Sequence, residues 1–199
     1  LIVRTPMGGR RGYGPTHSQS IEKHFLGIPD LHVAVLNHRC PPRLIYDAVC
    51  ASTVPFLVIE NKVLYTRHWD SGSPAGFIFE ISAQPFPVVR MRPCAAIPDV
   101  TVICYGGQLE SVEAAVLEAF DEYEIICEAL CPTLIHPMKV APIAESVRRS
   151  GRVVLVEEGP TFAAWGSEVL ARLVEDGVRI ESAIRLGHNG IIPACYERE

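Results

Sequence analysis

Long hydrophobic runs are absent from this 199-residue sequence. The longest apolar stretches, residues 55–59 and 153–156, are far shorter than the roughly 20 residues that a membrane-spanning helix requires. The first residues show no secretory signal, because Arg4 interrupts the apolar start at once. We therefore predict no membrane partner and a cytoplasmic location. The sequence does not begin with methionine, and we expect a longer parent protein.

Paired metal-binding motifs are also absent. The seven cysteines form no CxxC pair, and Cys127 with Cys131 has no second pair of ligands at zinc spacing. They lie in apolar contexts such as TVICYGG and EIICEAL. This pattern favours buried, reduced thiols of a cytosolic protein over disulfides or a metal site.

Charge is unevenly distributed within a net charge of −5. Residues 1–99 hold 10 Lys/Arg against 7 Asp/Glu, a net +3, whereas residues 100–199 hold 8 against 16, a net −8. Nucleic acid is an unsuitable partner for this acidic second half, because its phosphates are also negatively charged. It is either a solvated surface or a docking face for a basic protein.

The first part of the chain has the pattern of a sheet with helices between its strands. Within residues 1–61 we predict strands at LIVRTP, HVAVLN and PFLVIEN, and helices at residues 18–26 and at PRLIYDAVCA. Residues 62–99 are irregular and rich in proline and glycine, which predicts a linker.

Strands and helices alternate through residues 100–199. The strands are VTVICYGG, YEIICEAL, RVVLVEEG and VRIESAIRL, and two of the helices are residues 109–123 and 140–149. Thr161 can cap a further helix, which carries Phe162 on its apolar face and ends at residues 176–177. This alternation predicts an α/β fold with a mostly parallel sheet flanked by helices.

His17 is the candidate catalytic residue of the first part. In THSQ, Thr16 and Gln19 have the spacing of a capping box, which would place His17 in the first turn of a helix. A neutral imidazole beside free backbone amides can bind an anion or transfer a proton. The alternative is an ordinary loop histidine. Arg4, Arg10 and Arg11 could bind an anion near His17 or lie beside a subunit interface.

Several long segments resemble the beta subunits of thiamine-diphosphate-dependent 2-oxo acid dehydrogenases, of the pyruvate and branched-chain type. They are VRTPMGGRRGYGPTHSQSIEKHFLGIP, AVCASTVPFLVIENKVLY, DVTVICYGGQLESVEAA and SGRVVLVEEGPTFAAWGSEVLARL. The resemblance implies three parts. Residues 1–61 would be the C-terminal half of a pyrimidine-binding domain, residues 62–99 a linker, and residues 100–199 a transketolase C-terminal domain.

In this family the histidine of HSQ faces the reactive ring of the cofactor, which implies a catalytic role for His17 in decarboxylation and in acyl transfer to lipoamide. The cofactors of the complete enzyme would be thiamine diphosphate and magnesium, bound mainly by residues outside this chain. The activating glutamate would lie upstream, and the diphosphate site in an alpha subunit. The potassium loop AIRDNxP is matched by AVCASTVP at residues 48–55, without the aspartate, which argues against a tight potassium site.

We therefore expect no cofactor-binding or metal-binding residue in this chain, and no activity from it alone. The implied partners are an alpha subunit, a second beta subunit and a basic docking domain of an acyltransferase core. The segment CEALCPTLIHPMKV replaces the family's arginine-bearing stretch. It leaves room for a transketolase-type synthase subunit of a biosynthetic pathway. A non-catalytic dimerisation or docking module is a further alternative.

Two further motifs have simple interpretations. YGGQ lacks the spacing of a phosphate-binding loop and predicts a tight turn. Glu157 and Glu158 are adjacent in a predicted strand, so their side chains should point to opposite faces instead of forming an acid/base pair.

Overall fold

The computed structural model describes residues 1–10, 12–69 and 72–188, which form two mostly parallel sheets. Within these residues there are ten strands and four α-helices, with these bounds in chain order: β1 Ile2–Met7, β2 His32–Val35, α1 Pro42–Cys50, β3 Phe56–Asn61, β4 Phe77–Ile81, β5 Val88–Pro93, β6 Val100–Cys104, α2 Gln108–Tyr123, β7 Cys127–Pro132, β8 Leu134–His136, α3 Ala141–Ser150, β9 Arg152–Pro160, α4 Trp165–Glu175 and β10 Ser182–His188.

The first sheet has the strand order β1-β3-β2-β8. Its first three strands are parallel, and β8 runs antiparallel to β2. All six residues of β3 are buried, because this central strand has an apolar run that is covered on both faces. Helix α1 connects β2 to β3 and buries Ile45 and Val49.

The second sheet has the order β10-β9-β6-β7-β5-β4. Strands β10, β9, β6 and β7 are parallel, and the hairpin β4–β5 adds two antiparallel strands at one edge. Helices α3 and α4 pack with one hydrophobic cluster and α2 with another. Neighbouring residues of β6, Ile103 and Cys104, fall into different clusters, so the clusters lie on opposite faces of the sheet. The predicted α/β fold with flanking helices is confirmed.

The two sheets exchange strands across the predicted domain boundaries. Strand β8 lies within residues 100–199 but completes the first sheet. Strands β4 and β5 lie within residues 62–99 and join the second sheet. The segment predicted to be irregular is therefore partly strand, because its short apolar runs form the hairpin β4–β5 and β5 pairs with β7.

Two helix predictions need correction. In place of a helix at residues 18–26 there is one short 3-10 helix, Glu22–His24. Helix α4 begins at Trp165, so Thr161 does not cap it, and Phe162 is 83% exposed outside the helix. The helices predicted at residues 109–123 and 140–149 are confirmed within one residue as α2 and α3.

The cysteine prediction is confirmed only in part. Six cysteines are described, and all six are free thiols. Cys40, Cys104, Cys127 and Cys131 are buried, but Cys50 and Cys94 are exposed. The seventh, Cys195, lies outside the described residues. In the described part of the chain, none of the helices has the length and apolar character needed to cross a membrane.

Candidate functional site

The segment that carries His17 leaves β1 through a turn that favours glycine. Gly8 has φ +95°, a conformation that side chains other than glycine rarely adopt. A Cβ atom at Gly8 would also lie 2.6 Å from Asn61 Nδ2 and 2.9 Å from Glu158 Oε1. The chain can therefore approach β3 and β9 closely at this point. We call residues 8–10 and 12–25 the His17 loop.

His17 lies in a turn of this loop, and its side chain is exposed. Its backbone N–H donates to Gly14 O at 3.2 Å, and its carbonyl oxygen accepts a hydrogen bond from Lys62 Nζ. The same Lys62 Nζ lies 5.2 Å from the centre of the Tyr13 ring. The backbone at His17 is thus held near the end of β3, while the imidazole remains accessible.

The predicted capping box around His17 is wrong. Gln19 uses its Nε2 to donate to Pro15 O at 3.0 Å, and the 3-10 helix begins only at Glu22. His17 therefore does not lie at a helix N-terminus, and no helix dipole acts on its imidazole. The apolar residues near the end of the predicted helix have another role: Phe25 and Leu26 pack against the hydrophobic core.

Glu158 joins the start of the His17 loop to the end of β3. Its Oε1 accepts a hydrogen bond from the Gly9 N–H at 2.7 Å, and its Oε2 accepts one from Asn61 Nδ2 at 2.8 Å. Asn61 Oδ1 in turn accepts from the Val63 N–H at 3.1 Å. One carboxylate on β9 therefore has a separate donor for each of its oxygens.

Glu157 faces away from Glu158 and joins a buried cluster, as predicted from strand alternation. Its Oε1 accepts from the Gly166 N–H at 2.9 Å, and its Oε2 lies 3.5 Å from the Tyr105 hydroxyl. That hydroxyl donates to Glu22 Oε1. Glu22, at the far end of the His17 loop, is only 2% exposed. A tyrosine thus connects the loop to two strands of the second sheet.

The buried cluster favours protonated side chains. Burial raises the pKa of Glu22, and the hydrogen bond from Tyr105 offsets this only in part. Burial also raises the pKa of Glu157. Burial, together with the nearby Glu22 and Glu157 carboxylates, raises the pKa of Tyr105 well above its ordinary value. Within the described chain, Glu22 Oε2 has no hydrogen-bond partner, so an ionised Glu22 would be poorly compensated.

The arginines near the loop have protein partners. Arg4 Nε donates to Glu60 Oε1 at 2.8 Å, and Glu60 also accepts from the hydroxyls of Tyr46 and Tyr65. Burial alone would raise the pKa of Glu60, but these hydrogen bonds outweigh it and lower the pKa. Arg10 lies 3.5 Å from the Ser111 hydroxyl. The structure therefore does not show Arg4 as an anion clamp, and Arg11 lies outside the described residues.

A polar cleft of about 370 Å³ lies beside the loop. It is lined by Ser18, Ser20, Glu158 and His188, among other residues. The hydroxyls of Ser18 and Ser20 are buried and have no hydrogen-bond partner in the described part of the chain. Such hydroxyls can donate to or accept from a bound ligand or water.

Comparison with known proteins assigns the second sheet to a family. Residues 93–185 match the model of the transketolase C-terminal domain. A solved structure, a split-gene transketolase described as an inactive beta4 tetramer, superposes with a TM-score of 0.70 at 19% identity, covering 96% of this chain and 58% of that one. The fold is therefore transketolase-like, and residues 93–185 are similar to the transketolase C-terminal domain.

Curated relatives extend the similarity to almost the whole chain. The mitochondrial 2-oxoisovalerate dehydrogenase subunit beta of Dictyostelium discoideum is 29% identical over 100% of this chain and 52% of its own length. That of Chaetomium thermophilum is 31% identical over 92% and 38%. The pyruvate dehydrogenase E1 component subunit beta of Rickettsia bellii is 26% identical over 88% and 51%. The predicted resemblance to these beta subunits is confirmed. The chain spans about half of these relatives or less.

Sequence reasoning missed the residues that support His17. Tyr105 and Glu22 are 83 positions apart, and no spacing pattern joins them. The motif YGGQ did carry a sequence signal for this region. Its predicted tight turn is confirmed, because Gly106 has φ +63°. At Gly107 a Cβ atom would lie 2.5 Å from Asn61 Nδ2. The second glycine of the motif thus marks close packing against Asn61.

Proposed function

We propose that this chain acts in the oxidative decarboxylation of a 2-oxo acid, as a beta subunit of a thiamine-diphosphate-dependent dehydrogenase that transfers the acyl group to lipoamide. The similarity to beta subunits across nearly the whole chain carries this proposal. The accessible imidazole of His17, in the loop that matches the family's HSQ segment, supports it.

His17 is the proposed catalytic residue. Imidazole side chains can donate or accept a proton near neutral pH. The bonds that hold the loop engage the His17 backbone, which leaves its ring nitrogens available to a substrate oxygen. Proton transfer by one positioned side chain contributes roughly 10²–10⁴-fold to a rate.

The described residues do not fit a magnesium–diphosphate group. No set of three or more His, Cys, Asp or Glu side chains within residues 1–10, 12–69 and 72–188 could hold a metal ion. Of the carboxylates around the loop, Glu158 accepts a hydrogen bond on each oxygen, whereas Glu22 and Glu157 each accept one on Oε1. Thiamine diphosphate, when bound, supplies the carbanion chemistry, and we place its binding residues outside this chain.

The proposed partners follow from the beta-subunit assignment. They are an alpha subunit, a second beta subunit and a basic docking domain of an acyltransferase core. The cytoplasmic location stays a prediction, because two of the relatives described above are named as mitochondrial proteins.

The test is the variant His17→Ala in the complete complex, formed by the parent chain and its alpha subunit. We expect turnover of 2-oxoisovalerate and pyruvate, followed with an artificial electron acceptor, to fall by roughly 10²-fold or more. Subunit assembly should be unchanged, since the His17 side chain is exposed. His68→Ala serves as the control, because His68 is also an exposed histidine. Wild-type turnover in the His17 variant would refute the catalytic assignment.

A further inference from the structure

We infer that Glu158 is a positioning residue that holds the His17 loop in its reactive geometry. The inference rests on the function proposed above. The domain match assigns Glu158 to the transketolase C-terminal domain, whereas His17 lies in the first sheet's loop. The transketolase C-terminal domain would thereby determine where the catalytic imidazole of the other part lies.

The first argument is the geometry of the carboxylate. Glu158 Oε1 and Oε2 each accept one hydrogen bond, at 2.7 Å from Gly9 N and at 2.8 Å from Asn61 Nδ2. Hydrogen bonds to an ionised acceptor are roughly twice as strong as neutral ones. The side chain therefore links the first turn of the His17 loop to the strand end beside Lys62, which holds the His17 carbonyl.

The second argument is the lack of space around this contact. A Cβ atom at Gly8 would lie 2.6 Å from Asn61 Nδ2, and one at Gly107 would lie 2.5 Å from the same atom. Asn61 is therefore confined between two glycines, and the loop passes directly over it. Such packing leaves little room for this turn to shift, and Glu158 accepts the hydrogen bond from the Gly9 N–H.

The far end of the loop is held by a different side chain, because the Tyr105 hydroxyl donates to Glu22. Glu157 and Glu22 both lie within reach of the Tyr105 hydroxyl, and Gly159 would bring a Cβ atom to 3.2 Å from Ser20 O. Both ends of the loop are thus attached to one strand, with His17 between them. Loss of Glu158 should loosen one end without detaching the other.

Glu158→Ala removes both hydrogen bonds, whereas Glu158→Gln keeps an acceptor for Gly9 and places an NH₂ group against Asn61 Nδ2. Since Asn61 Oδ1 already accepts from Val63 N, a flip of the Asn61 amide would sacrifice that bond. In the double variant Glu158→Gln/Asn61→Asp, the introduced amide can donate to the introduced carboxylate, which restores both links. The comparison of Glu158→Gln with the double variant therefore tests whether the hydrogen bonds themselves, and not the original side chains, are required.

In the complete complex we expect Glu158→Ala to lower kcat by on the order of 10-fold with little change in KM, because small displacements of a reacting group are costly. Glu158→Gln should lie between Glu158→Ala and wild type, and the double variant should recover most of the activity. Hydrogen exchange of residues 9–20 should become faster in Glu158→Ala. Glu175→Gln, an exposed glutamate on α4, is the control.

A double-mutant cycle with His17 gives the decisive readout. If Glu158 acts through His17, then Glu158→Ala should cause no further loss of turnover in a His17→Ala background. An equal loss in both backgrounds, or an unchanged kcat in Glu158→Ala, would overturn the inference while leaving the proposed function intact. Wild-type turnover in His17→Ala would instead refute the proposed function, and the positioning role with it.

Discussion

Buried glutamates in this protein have opposite acid–base behaviour, depending on their donors. Glu128 is 1% exposed, and although burial favours its neutral form, hydrogen bonds from Ser146, Arg90 and Arg149 lower its pKa. Glu22 is similarly buried, but Tyr105 is its hydrogen-bonding side chain and its pKa is raised. The number and charge of the donors, more than burial itself, decide whether the pKa of each carboxyl is raised or lowered.

We predict that Glu22→Gln makes the stability of the protein less sensitive to a rise in pH above about 4.3. A carboxyl whose pKa is raised by folding stabilises the fold below its unfolded pKa of about 4.3, and this contribution is lost as pH rises through the raised value. A neutral amide has no such loss. As pH rises above about 4.3, the variant should therefore lose less stability than wild type.

The measurement is denaturant unfolding of both proteins at several pH values. Glu175→Gln is the control, since this carboxyl is exposed on α4. Parallel stability curves for wild type and Glu22→Gln would contradict the prediction.

At the level of elements, the sequence predicted the helices and strands whose own residues carry a clear apolar pattern. Strands β3 and β6 and helix α2 have continuous or periodic apolar residues, and their positions are confirmed. The three-residue strand β8 depends on pairing with β2, which is about 100 positions distant, and it was missed. The helix at residues 18–26 was wrong because Glu22 is buried by a long-range contact with Tyr105. His17 was found from the HSQ resemblance, whereas the support around it needed the fold.

The strand exchange predicts that residues 100–199 are not independently stable. Without β4 and β5, the edge of β7 is unpaired, and buried residues such as Leu109 lose the first sheet that shares their cluster. Each large apolar side chain that becomes exposed costs about 1.5–3 kcal/mol. We expect stability to decrease from the full chain to residues 75–199 and again to residues 100–199.

Denaturant unfolding and light scattering of the three chains check this order. The full chain should unfold in one transition, because both hydrophobic clusters contain residues of both sheets. A fragment of residues 100–199 as stable as the full chain would show that the predicted domain boundaries at residues 61 and 99 are also folding boundaries.

At the scale of the whole molecule, the acidic half of the chain contains a helix end whose charges oppose stability. The C-terminal end of α2 carries the exposed acids Asp121 and Glu122, and Glu124 follows at its cap. The last turn has no basic residue. Negative charge at a helix C-terminus opposes the helix dipole and is typically unfavourable by about 0.3–1 kcal/mol per charge. The exposed Tyr123 lies among these charges. Exposed acids and an aromatic side chain at this helix end suit the binding of the basic docking domain proposed above as a partner.

We therefore predict that the variant Asp121→Asn/Glu122→Gln/Glu124→Gln binds a basic docking domain more slowly but folds at least as stably as wild type. Electrostatic attraction mainly accelerates association, and salt screens it over about 8–10 Å near 0.1 M ionic strength. Association rates measured at about 0.05 and 0.3 M salt should differ strongly for wild type and little for the variant. The pair Glu175→Gln/Asp176→Asn, at the end of α4, removes exposed acids elsewhere and should retain the wild-type salt dependence. Equal rates and equal salt dependence in all three proteins would place the docking face away from α2.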